Sequence, residues 1–181
     1  NNLTPTIGAP WAVSGLTSKV ILGDSISNIV FTVPSTFPFT GPIDIAPFSR
    51  LVLQHTTIPT IGAIGIPSTV EYASASTQTI TPIIYWDIVC TNTGGGTWPS
   101  GTTGILDTFI VGLNAFNSGS GIVDFMGAQP QFMPAINYPS VINSGGGDRV
   151  FAPSGTIVIN GTLPPSIGLY TVTGSTVNFA S

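Results

Sequence analysis

The stretch Thr81-Pro-Ile-Ile-Tyr-Trp-Asp-Ile-Val-Cys-Thr91 is the longest run of β-branched and aromatic residues in the chain, and it predicts a strand. At a period of two, Ile84, Trp86, Ile88 and Cys90 share one face, and Ile83, Tyr85, Asp87 and Val89 share the other. One face is wholly apolar and the second nearly so, which places the strand inside a sheet covered on both sides. Pro82 suits the first strand position, where no ladder donor is needed. The segment Asn92-Thr-Gly-Gly-Gly-Thr-Trp-Pro-Ser-Gly101 ends the strand, and the run Ile105 to Phe116 returns from it.

Outward from this stretch the texture stays β. Strands are predicted over Trp11–Leu22, Ser25–Val33, Phe48–Ile58 and Gly121–Met126. Four more follow near the end, at Arg149–Ala152, Thr156–Asn160, Leu169–Val172 and Thr176–Phe179. Glycine (22) and proline (16) punctuate the chain at short intervals, and no window sustains the three-and-four spacing of an amphipathic helix. No repeat of 20–50 residues emerges that would indicate a solenoid or propeller. Residues 1–10, with Pro5, Gly8 and Pro10, form an extended arm, and residues 11–181 form one β-barrel domain. The predicted core comprises Ile84, Trp86, Ile88, Ile110, Ile157, Ile159 and Val172. Two segments, Pro59–Pro67 and Gly127–Gly147, are expected to be apolar loops, the second unusually long.

Composition narrows the function. Only 6% of the 181 residues are charged, against about 25% in ordinary globular proteins. Three basic residues, Lys19, Arg50 and Arg149, are too few to neutralise a run of phosphates, so direct nucleic-acid binding is not expected. A surface with so little charge has weak protection against association. Much of it is therefore expected to be covered by neighbours, with Ile61, Ile64, Ile66, Phe132 and Met133 in the contact. Cys90 is the sole cysteine and His55 the sole histidine, which removes disulfide frameworks and N/S metal centres. Asp107, Asp124 and Asp148 could be gathered around calcium only by the fold, since they lack EF-hand spacing. No cofactor or metal is expected. Gly94–Gly96 and Gly145–Gly147 lack the Lys and following helix of a phosphate loop. Asn2 and Asn160 head glycosylation-type triplets, and Trp98, in a Gly/Pro/Thr loop, is a candidate sugar platform.

The segment Val20-Ile-Leu-Gly-Asp-Ser-Ile-Ser27 resembles the first block of the SGNH (GDS-type) hydrolases, which implies Ser25 as nucleophile. That family carries an Asp two residues before a C-terminal histidine. Here His55 has no acid close before it, and Asn114 lacks the aspartate that follows the family's asparagine. The turn reading of Gly-Asp-Ser is preferred, and no catalytic residue is assigned.

As a whole, with its short strands, low charge, apolar proline-rich loops and an N-terminal segment without basic residues, the chain resembles the single β-barrel major capsid proteins of tailless icosahedral phages with an internal membrane. The resemblance implies an all-β jelly roll, a Greek-key β-sandwich barrel of about eight antiparallel strands. It further implies a structural role in a virion shell, built from copies of the chain and a second capsid protein near an internal viral membrane. A secreted carbohydrate- or surface-binding β-sandwich is the alternative, and a hydrolase using Ser25 a distant third.

Overall fold

The computed structural model describes residues 19–36, 39 and 41–180. The predicted arm at 1–10, Trp11, Phe37 and the Asn2 triplet lie outside the described residues. The described residues contain no helix and form 21 short strands. To this extent the chain is all-β. The antiparallel jelly roll is not the fold: every ladder is parallel, and the strands wind as a β-solenoid of about eight turns.

The strands lie on three sides visited in the same order. Among the described residues the first two turns carry no strand on the third side, and the eighth none on the first. The first side carries Val20–Leu22, Ile43–Ile45 and Ile61–Ile64, then Ile84–Tyr85, Thr102–Ile105, Ile122–Phe125 and Ser140–Ile142. The second carries Val30–Val33, Arg50–Leu53, Thr69–Tyr72, Asp87–Cys90 and Phe109–Val111, then Gln131–Met133, Arg149–Phe151 and Tyr170–Thr171. On the third lie Gln78–Thr79, Gly96–Thr97 and Phe116–Asn117, then Asn137–Tyr138, Thr156–Ile159 and Thr176–Phe179. Parallel neighbours are one full turn apart in sequence, which is why their strands run the same way.

The opening stretch shows why a sandwich was expected. Residues 81–91 are two short strands, Ile84–Tyr85 and Asp87–Cys90, on two different sides of the solenoid, with Trp86 at the corner between them. The corner breaks the period of two. Tyr85 points inward on the first side and Ile88 and Cys90 inward on the second, so Ile84 turns outward and is 52% exposed, while Trp86 is half-buried. Ile110 likewise faces solvent, because the inward column of its side is Phe31, Leu51, Val70, Ile88 and Phe109. Ile157 and Ile159 are core residues, as is Ile88. The supposed loop 127–147 contains strands on all three sides, and 59–67 contains Ile61–Ile64.

The repeat is real but drifts. Along the column from Phe31 to Phe109 the spacings are 20, 19, 18 and 21 residues, taken from the register Phe31, Leu51, Val70, Ile88, Phe109. Residue identity varies freely along the column provided that it stays apolar, so self-comparison of the sequence finds nothing to align.

Two corners are held by buried amides doing the same job. Gln78 accepts the Ser74 N–H at 3.0 Å and donates to the carbonyls of Leu53 and His55, both at 2.9 Å. Gln131 accepts the Gly127 N–H at 3.0 Å and donates to Ile105 and Asp107 at 3.1 and 2.8 Å. Each side chain thus ties the amide four residues before it to two carbonyls on the preceding turn. At Gly127 a Cβ would lie 2.5 Å from the Leu106 carbonyl, so the chain can pass there only without a side chain.

Arg149 stacks directly on Gln131 and continues the pattern with a guanidinium. It donates to Phe125, Gly127 and Asp148 carbonyls, each at 2.8 Å, to Gln129 at 3.3 Å, and to Asn143 Oδ1. It is fully buried, and burial draws its pKa below the usual arginine range. Carbonyl dipoles, rather than a carboxylate, are its direct partners, so five acceptors share one charge.

Candidate functional site

The Gly-Asp-Ser segment is a tight turn. Asp24 Oδ1 accepts the N–H groups of Ile26 and Ser27 at 3.0 and 2.8 Å, and Oδ2 accepts the Ser27 hydroxyl at 3.1 Å. These bonds, that of Ser27 foremost, hold the Asp24 carboxyl below its ordinary pKa. Ser25 sits exposed at the apex with φ of 66°. His55 Nδ1 accepts the Thr57 N–H at 2.9 Å, so this ring nitrogen is committed to the histidine's own loop.

Of the other acids, Asp107 is exposed and the rest are similarly committed. Asp124 accepts the Ser144 N–H and hydroxyl, Asp148 the Leu169 N–H, and Asp87 the Thr108 N–H. Arg50 donates twice to Glu71 Oε2, and Thr91 donates to Oε1. Lys19 pairs with Asp44, whose carboxyl is thereby held low. Among the described residues no three His, Cys, Asp or Glu side chains are grouped to hold a metal ion.

Trp98, singled out as an exposed sugar platform, is buried. Its indole N–H donates to the Asn137 carbonyl at 3.0 Å, and its ring lies 5.1 Å from Phe116 and 5.5 Å from Phe109. Tyr72 and Tyr85 meet hydroxyl to hydroxyl at 2.7 Å, and Thr81 closes the group from both its N–H and its carbonyl. Burial raises the pKa of both phenols. Cys90 is also interior, and burial pushes its thiol pKa far above the usual range.

The five residues expected to form a contact divide. Ile61 and Met133 belong to the core. Ile64 and Ile66, the latter 52% exposed, line a groove on the flank of the solenoid, while Phe132 is half-exposed elsewhere, on the second side. The groove's other apolar walls are Ile83, Ile84, Trp86 and Leu106, and no charged residue lines it. It opens where the first-side ladder breaks between Ile61–Ile64 and Ile84–Tyr85. Sequence reading missed Leu106, and also Ile83, Ile84 and Trp86, which an unbroken strand covered on both sides would bury. The signal was the inward pair Tyr85 and Ile88, three residues apart, which no single strand can present on one face.

No family model, curated protein or solved structure matches this chain. Its chemistry is therefore read from its own geometry. Buried amides and a guanidinium fasten one turn to the next, and an uncharged apolar groove lies open on the flank.

Proposed function

We propose that the protein is a structural assembly subunit, a rigid β-solenoid that works by packing its flank against other protein surfaces, as in a coat or shell. The observation that carries this reading is the groove of Ile64, Ile66, Ile83, Ile84, Trp86 and Leu106. Apolar surface of this kind, unguarded by charge, gains stability when a partner removes it from water. A scarcity of charge over the whole chain supports the same reading. The likeness to phage capsid barrels runs through an antiparallel fold that this chain does not have, so the role in a virion shell, beside a second capsid protein, now rests on association alone. The sugar-binding alternative loses Trp98 as its platform.

Sedimentation velocity at rising concentration, in low and high salt, tests the proposal. Association that persists in high salt and weakens in Ile66→Asp and Ile84→Asp is expected, because each variant places an unpaired charge in a drying contact. Strictly monomeric protein, with both variants indistinguishable from the parent and no particles by electron microscopy, overturns it.

A further inference from the structure

The first-side ladder is interrupted in the middle of the molecule. Ile61–Ile64 is the last strand of one first-side sheet and Ile84–Tyr85 the first of the next, and among the described residues no strand pairs across the space between them. The same two turns are joined without a break on the second side, where Thr69–Tyr72 pairs in register with Asp87–Cys90. They therefore part like a wedge, closed on the second side and open on the first. The break falls where the section of the solenoid changes, because Gln78–Thr79, the earliest third-side strand among the described residues, lies between these two strands in the chain.

Main-chain hydrogen bonds show which way each wall faces. In a parallel ladder, alternate residues turn their N–H and C=O groups to opposite neighbours. On the later wall, the Ile83 and Tyr85 carbonyls accept the Gly104 and Leu106 N–H groups at 3.0 and 2.9 Å, so the N–H and C=O of Ile84 between them point back into the space. On the earlier wall, the Thr60 carbonyl accepts the Ile43 N–H at 2.8 Å, and the Gly65 N–H donates to the Ile45 carbonyl at 2.6 Å. This turns the main chain of Ile61 and Ile64 the other way, toward the same space. Both walls thus present strand donors and acceptors that no ladder takes up among the described residues. The side chains around them are those of the flank groove, which carries no charge and encloses about 360 Å³.

An apolar surface alone fits many partners, but main-chain groups arrayed along a strand fit one kind, which is another strand. We propose that the break is a docking site for an extended segment of a partner chain, which adds itself to the first-side ladder as a strand. The inference rests on the groove reading above and names its partner. That segment is extended, uncharged and apolar at alternate positions, and about four residues of it match the roughly 13 Å length of Ile61–Ile64. Main-chain bonds hold such a segment, and the walls of the groove select its side chains. A charged side chain is rejected, because the groove offers nothing to pair with it.

The probe is the capped peptide acetyl-Thr-Val-Thr-Ile-Thr-Val-amide, added to the full chain and followed by the emission of Trp86, which lines the groove. Trp86→Phe should remove that signal. Two analogues, N-methylated on the threonines or on the aliphatic residues, keep the side chains and block one or the other row of donors. At least one of them should bind about tenfold more weakly, the effect of losing one or two hydrogen bonds. Ile66→Asp should weaken binding of the parent peptide while the circular dichroism of the protein stays unchanged. Hydrogen exchange at the Ile61 and Ile84 amides, fast in dilute free protein, should slow in saturating peptide. Equal binding of all three peptides, with Ile66→Asp still weakening self-association in sedimentation, leaves the groove as an apolar contact and overturns the strand. Absence of binding at millimolar peptide, or an Ile84 amide already protected in dilute free protein, overturns it too. If sedimentation also finds no association, the groove reading falls with it.

Discussion

The seventh and eighth turns present similar residues on the same columns and differ almost entirely in burial. Ile157 and Ile159 are sealed, while Val177 and Phe179, one turn further on, are not. Burial here is a property of position along the stack rather than of the residue. In a solenoid each turn is covered by its neighbours, so an apolar column has value only where another turn lies on both sides of it.

The comparison sharpens into measurements. The largest effect is expected at Arg149, where Arg149→Met strips donors from four carbonyls and from Asn143 between inner turns. It should cost about 3–5 kcal/mol in urea unfolding, as loss of one partner of a buried charged network does. A loss under about 1 kcal/mol would mean that water replaces the guanidinium and the corner is not sealed. Next, Ile159→Ala should cost about 2–5 kcal/mol, whereas Phe179→Ala, at a more exposed position, should cost less than about 1 kcal/mol. Equal losses would break the comparison.

A smaller test concerns Cys90, which lies on an inner turn. In native protein its thiol should react with a disulfide reagent only at the rate of unfolding, since burial disfavours the thiolate. Rapid labelling would show that the middle turns open. The smallest effect is at Asp87, whose pKa is raised by burial. A raised carboxyl pKa opposes folding above that pKa, and the penalty fades as pH falls through it toward the ordinary carboxylate value. Asp87→Asn, which keeps the acceptor for the Thr108 N–H, should therefore be favoured over the parent near neutral pH and lose that advantage in acid. An advantage independent of pH would remove the burial explanation.

Strand content was legible in the sequence, and so was the absence of long helices, because Val, Ile and Thr alternation and glycine–proline punctuation are local signals. The winding was not. Alternation says which residues share a face within one strand, but the corner at Trp86 lies inside an unbroken apolar run with no glycine or proline to announce it. The repeat was hidden by the drift of its spacing and by columns that ask only for an apolar residue. The contact residues were half legible: an apolar segment lacking charge predicts that something is covered, but whether by the core, as for Ile61, or left for a partner, as for Ile66, depends on which way the chain turns at each corner.

The ladders themselves have a mechanical consequence. All of them run between successive turns, so their hydrogen bonds point along the rod, and a pull on its two ends loads the turns in series. The weakest turn yields first and alone. Each turn that peels away releases about 20 residues, roughly 65 Å of extended chain, in exchange for about 4.8 Å of rod. Stretched end to end, the molecule lengthens stepwise at modest force, whereas pressed on its flanks it resists as three sheets wrapped around a packed core.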